Sequence, residues 1–164
     1  MNFDYVDEMI FVARRPLQNN ADVQAVIDRG FRSVIVLNDS SAQPQNAMRD
    51  ASITGSLLSK HVQCMRGDVP MTTLVELSDG QCEKFEKDYS EARFDKVVSL
   101  LDVAPRPTLV VSAFATHSNE AALAVVHTYV ATRHARVGGI AKLSPAMREF
   151  VETYVETKIS RIVR

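Results

Sequence analysis

Two short runs in this chain are apolar at every position after the first, and they limit its fold more than any other feature. They are Ser33-Val34-Ile35-Val36-Leu37 and Thr108-Leu109-Val110-Val111. A strand with one wet face alternates apolar and polar residues, so a strand without alternation needs cover on both sides. That is the pattern of parallel strands inside a sheet. Helical spacing brackets both runs. Asn20 is a candidate N-cap for a helix carrying Val23, Val26 and Ile27 on one face, and Gly30 ends it before the first run. Phe85, Tyr89, Phe94, Val97, Val98 and Leu101 recur at helical spacing from Glu83 to Leu101, and Pro105-Arg106-Pro107 stops that helix before the second run. A buried helix from Asn119 to about Thr132 follows, with Ala121, Ala122, Val125, Val126 and Tyr129 facing inward. Pro145 sits in the first turn of a last helix, striped by Met147, Phe150, Val151, Tyr154, Val155 and Ile159.

The remaining segments read less sharply. Met9–Ala13 is a short strand, placed at an edge, and Ala47–Leu58 is a weaker helix. His61–Met65 and Thr73–Leu77 both read as strands, and Ser78-Asp79-Gly80 reads as a turn. Alternating strands and helices predict an α/β three-layer sandwich, with a central, mostly parallel sheet of four or five strands and helices on both faces. No repeat or Pro/Gly-rich linker divides the sequence, so residues 1–164 are expected to form a single domain.

Charge narrows the function. Nineteen basic residues against twenty acidic ones leave a net charge of -1, so there is no basic excess to neutralise the phosphates of a nucleic acid. The longest stretch poor in charge, Pro107 to Thr132, is broken by Thr116-His117-Ser118-Asn119-Glu120, which argues against membrane insertion. Asp4, Asp7 and Glu8 precede the first apolar run, unlike a signal or transit peptide. Two cysteines, Cys64 and Cys82, make no disulfide framework, and His61, His127 and His134 have no metal-ligand spacing. The expectation is a soluble, intracellular protein, cytoplasmic in the simplest case, with no metal and no cofactor.

The chemistry centres on Pro107-Thr-Leu-Val-Val-Ser-Ala-Phe-Ala-Thr-His-Ser-Asn-Glu-Ala. A buried strand that runs straight into a buried helix makes an anion-binding turn, because the first amides of the helix have no partner within it. This segment resembles the signature turn of the cysteine-dependent tyrosine and dual-specificity phosphatases, which reads His-Cys-x-x-Gly-x-x-Arg. In that register Val111 stands for the His, Ser112 for the Cys, Ala115 for the Gly and Ser118 for the Arg. The resemblance extends along the chain as a pattern of elements. Met9 to Asn38 is similar to the family's opening strand, helix and strand, and Pro145–Tyr154 is similar to its closing helix. It implies a dual-specificity phosphatase-like fold and makes residues 112–118 (Ser112, Ala113, Phe114, Ala115, Thr116, His117 and Ser118) the remnant of a phosphate loop.

The departures remove the family's chemistry. Its nucleophile is a thiolate, kept ionised by loop amides and by the arginine. The Ser112 hydroxyl is not ionised at neutral pH. The family's arginine clamps the phosphoryl oxygens through two hydrogen bonds, and Ser118 offers one short hydroxyl. Neither Cys64 nor Cys82 starts a second Cys-x5-Arg motif, since Pro70 and Asp88 stand where the arginine would be. The resemblance also implies an aspartate general acid some thirty residues before the nucleophile. Asp79 stands thirty-three residues before Ser112 and is the better match, and Asp68 is a second candidate; an ordinary turn carboxylate is the favoured reading of each.

Two classes of function remain open. One is a catalytically inactive phosphatase-fold protein, a protein-interaction module or a structural subunit of a larger assembly, for which a protein partner is expected. The other is a divergent phosphatase or a hydrolase built on Ser112, with His117 as the only nearby base and no third member to orient it. A phospho-ligand-binding module lies between them. The missing Cys and Arg favour the first class.

Overall fold

The structure, a computed structural model, describes residues 1–15, 17–38, 62–68, 87–112, 120–136, 139, 143 and 145–163. In chain order these form β1 (Phe3–Asp7), β2 (Ile10–Ala13), α1 (Asn20–Arg29), β3 (Ser33–Asn38), β4 (Gln63–Asp68), α2 (Lys87–Val103), β5 (Thr108–Ser112), α3 (Glu120–His134) and α4 (Pro145–Val163). One five-stranded sheet has the order β1-β2-β5-β3-β4. Strands β2, β5, β3 and β4 run parallel, and β1 pairs antiparallel with β2 at the edge.

The two apolar runs became β3 and β5, neighbours inside the sheet. Their side chains divide cleanly between its faces. Val34, Val36, Leu109 and Val111 pack with Val23, Val26 and Phe31 under α1. Ile35, Leu37 and Val110 pack with Val98 and Leu101 of α2, Val125 and Tyr129 of α3, and Val151 and Tyr154 of α4. Among the described residues, α1 therefore lies on one face and three helices lie on the other. Helix α3 is buried over most of its length, Ala124 through Ala131 without a break, because it is wedged between the sheet, α2 and α4. Ion pairs at its margins tie the helices together: Arg133 of α3 to Asp102 of α2 at 3.1 Å, and Lys158 of α4 to Asp95 of α2 at 2.7 Å. The Tyr154 hydroxyl also donates to Asp95.

Several boundaries differ from the sequence reading, each for a local reason. Asn19, not Asn20, caps α1, and its side-chain oxygen accepts the Asp22 N–H at 3.0 Å. Gly30 ends the helix in the left-handed region at φ 88°, its N–H donating to the Ile27 carbonyl at 3.0 Å. Strand β1 was not anticipated, because Asp4 and Asp7 interrupt the alternation of Phe3 and Tyr5. Its presence moves Met9–Ala13 from the expected edge to one strand inside it. Glu8 and Met9, at φ 52° and 59°, make the two-residue turn between β1 and β2. That handedness suits a hairpin but strains residues with a Cβ. The strand expected at His61–Met65 runs from Gln63 to Asp68, with Gln63 N–H bonded to the Arg32 carbonyl at 3.1 Å. The expectations for Ala47–Leu58, Thr73–Leu77 and Ser78-Asp79-Gly80 lie outside the described residues.

The sheet is stitched at the N-terminal ends of its parallel strands. Ser33 and Thr108, both fully buried, begin β3 and β5 side by side. The Ser33 hydroxyl donates to the Pro105 carbonyl at 2.7 Å, the two hydroxyls lie 2.9 Å apart, and Thr108 Oγ1 reaches the same carbonyl at 3.0 Å. Arg32 N–H donates to the Pro107 carbonyl at 2.9 Å, and Thr108 N–H to the Met9 carbonyl at 3.0 Å. Arg106 adds a guanidinium bonded to the carbonyls of Glu8 and Ala104 and to the Tyr129 hydroxyl. Replacing Thr108 by valine keeps the shape and leaves this network short of a hydroxyl. The variant should lose about 1–3 kcal/mol. Its thermal midpoint, followed by circular dichroism, should fall by several degrees. An unchanged midpoint would show that the buried hydroxyls do not hold the strands in register.

Candidate functional site

The candidate site lies at the opposite, C-terminal end of the parallel strands, where open α/β sheets place their ligands. Strand β5 delivers Ser112 there as its last residue, level with Leu37 of β3. On the next strand Asp68 ends β4 and is level with Asn38, one residue further along than the Leu37–Ser112 pair. Two strand spacings separate the backbones of Ser112 and Asp68, about 10 Å. Asp68 is therefore the end of a paired strand and not the turn carboxylate it resembled. Asp79, Ala113, Phe114, Ala115, Thr116, His117 and Ser118 lie outside the described residues. Helix α3 begins at Glu120.

The other flank is built by the segment after β2. The register of β2 with β5 pairs Ile10 with Thr108 and Val12 with Val110, and Arg14 and Arg15 follow the end of β2 at Ala13. Arg14 and Arg15 have no assigned role in the sequence reading. Both guanidiniums at this end of the sheet are occupied by carboxylates. Arg14 gives Nε and Nη2 to Asp4 at 2.9 and 3.0 Å. Arg15 gives both terminal nitrogens to Asp22 at 2.7 Å each. Asp22, in the first turn of α1, is itself buried and also accepts the Gln18 N–H at 2.8 Å. The signal for this pair was available in an aspartate three residues after the capping Asn19, since such a residue reaches back to the amides before its helix. Among the described residues no cluster of three or more His, Cys, Asp or Glu could hold a metal ion.

No protein-family model matches this chain, and neither does any curated protein. Solved structures do resemble it. One is the core catalytic domain of the PP-IP phosphatase SIW14 from S. cerevisiae, in complex with citrate. It is 14% identical with a TM-score of 0.55, over 99% of this chain and 90% of that one. Another, from Neisseria meningitidis, is assigned as a phosphatase. It is 15% identical with a TM-score of 0.57, over 90% of this chain and 94% of that one. The fold is dual-specificity phosphatase-like. At these identities the likeness describes the path of the chain, and it agrees with the central position of β5 and with the strand-to-helix turn that follows it. A phosphatase-like fold with serine at the head of the central strand is thus what the sequence and structure share.

The Arg15–Asp22 pair gives this end of the molecule a pH dependence. Arg15 holds the Asp22 carboxyl below its ordinary value of 3.8, against the upward pull of burial and with help from the Gln18 amide. A carboxylate lowered on folding stabilises the native state above its unfolded pKa, and that contribution fades as pH falls through the folded value. Asp22→Asn should therefore destabilise the protein by about 1–3 kcal/mol at pH 7. The gap between variant and parent should narrow below about pH 4. Denaturant titrations at several pH values would measure it, and a gap independent of pH would contradict the ion pair's role.

Proposed function

We propose that this chain is a catalytically inactive phosphatase-fold protein, acting as a protein-interaction module or a structural subunit of a larger assembly. One observation carries the reading. Ser112, at the end of the central strand, stands where the family's resemblance calls for a thiolate, and Ser118 stands where it calls for the arginine. A serine hydroxyl at neutral pH lacks the charge of a thiolate. Losing one donor to the transition-state oxygens costs on the order of a hundredfold or more. Losing the nucleophile as well removes the covalent route. Arg14 and Arg15, already paired with Asp4 and Asp22, supply no ready substitute.

Residues 1–164 act in this reading as one phosphatase-like domain, supported by a likeness that spans 99% of the chain. The setting is intracellular and needs neither metal nor cofactor. No described helix is long and apolar enough to cross a membrane. Residues 112–118 persist as a turn without chemistry, and Asp79 or Asp68 as an acid with no leaving group to protonate. The loop has also lost useful phosphate affinity, because Phe114 and Thr116 bring bulk, Ala115 replaces a permissive glycine, and Ser118 brings no charge.

The purified protein should show no turnover of an aryl phosphate above a blank, and none of a PP-IP compound, the substrate class of SIW14. Ser112→Cys alone should restore nothing, because the arginine would still be missing. Vanadate-sensitive turnover by the unaltered chain would overturn the proposal. Saturable phosphate or sulfate binding at millimolar concentration, read from amide shifts at 113–118, would move the function toward phospho-ligand recognition.

A further inference from the structure

We propose that the groove along the edge strand β1 takes an extended acidic peptide segment of a protein partner, laid beside β1 as an added strand. The proposal deepens the interaction-module reading and rests on it. The groove has a volume of about 820 Å³ and runs the whole length of β1, from Phe3 to Asp7, against one side of α3. That volume lies within the usual range for a built binding cleft, roughly 300–1,000 Å³. Its length, that of a five-residue strand, is about 17 Å. Val6, Leu123 and Val130 give it an apolar lining. Gly139 closes one side, lying so near the His127 ring that a Cβ there would stand 2.1 Å from it.

The backbone and the charges together select the occupant. Among the described residues β1 pairs only with β2, so alternate N–H and C=O groups along its outer edge are left for an added strand. An edge of this kind invites unwanted pairing unless it is guarded. Here a bulge between Tyr5 and Asp7 and two ion pairs, one at each end, act as the guard. Both ion pairs turn their cation outward. Arg14 is 60% exposed over an Asp4 that is 39% exposed, and Arg136 is 57% exposed over an Asp7 that is 23% exposed. Arg136 binds both Asp7 oxygens through Nη1 alone, at 2.6 and 2.7 Å, which leaves its Nε–Nη2 edge to receive a second carboxylate through two hydrogen bonds. A second copy of this chain fits less well. Antiparallel pairing of two β1 edges would set the Arg136–Asp7 pair of one copy beside the Arg14–Asp4 pair of the other, like charges meeting along with opposite ones. A peptide with apolar residues at its centre and carboxylates at its ends meets both requirements.

The test uses the full chain and a capped heptapeptide that alternates valine and threonine and carries glutamate at both ends. Its control carries lysine at both ends. The glutamate peptide should bind saturably, moving the amide signals of residues 3–7 and those around Leu123, Val130 and Arg136. The lysine peptide should bind at least about tenfold more weakly. Arg136→Glu should weaken the glutamate peptide by about the same factor and improve binding of the lysine peptide, a reversal that a misfolded variant would not show. Equal affinity for both peptides, shifts elsewhere on the surface, no saturation, or dimerisation through β1 without peptide would each overturn the proposal. Aryl phosphate turnover by the unaltered chain is a separate readout, so the loss of one reading is distinguishable from the loss of the other.

Discussion

Everything in this structure depends on β5 being covered on both faces while held between two parallel neighbours. Leu109 and Val111 enter the core under α1, and Val110 enters the core shared with α2, α3 and α4. A strand so enclosed has no freedom to slip, because a shift of one residue would exchange the two faces. The register is set where the strand begins. There the buried hydroxyls of Ser33 and Thr108 share the Pro105 carbonyl, and Pro107 takes the Arg32 amide. Buried polar groups of this kind are costly when unmet and specific when met. With one end pinned, the other end of β5 must arrive at one place, and that place is Ser112.

What the sequence revealed follows the strength of each physical signal. The doubly apolar strands and the buried helix after Glu120 were legible because burial on all sides leaves no alternative pattern. Gly30 was legible because a left-handed helix end is where glycine belongs. Strand β1 was hidden by the aspartates at positions 4 and 7, whose charges are met by Arg14 and Arg136 from elsewhere in the chain. The Arg136 partner lies more than a hundred residues away from Asp7, so no local pattern could announce it. At the site, the reading of Ser112 and Ser118 against Cys and Arg rests on the motif alone, and Ser118 lies outside the described residues. The placement of Asp68 two strands across from Ser112 was not legible, because register between distant strands is a tertiary property.

The two ends of the sheet are held by different forces. The N-terminal ends are fixed by neutral, buried hydrogen bonds. The C-terminal end is flanked by ion pairs, Arg14 to Asp4 and Arg15 to Asp22. In a working phosphatase-like site this end concentrates uncompensated positive potential, which favours a bound anion and disfavours the empty protein. Here the cations beside β5 are each met by a carboxylate of the same chain. A hydroxyl in place of a thiolate likewise removes a buried negative charge that loop and arginine would otherwise have to stabilise. The neutral head of the strand and the paired arginines beside it are mutually consistent.

In the proposed inactive reading, that consistency bears on where selection can act. The sheet needs β5 and its neighbours for stability, and none of the packing around Leu109, Val110 and Val111 depends on a nucleophile. The edge strand β1 is different. It is half-exposed, its turn carries two residues at positive φ, and its ion pairs lie at the surface, where they contribute little to stability. A strand that only closed a sheet would be served as well by a shorter, plainer edge. In the proposed interaction-module reading, the two outward guanidiniums at the ends of the groove serve recognition, where exposed charge discriminates between partners.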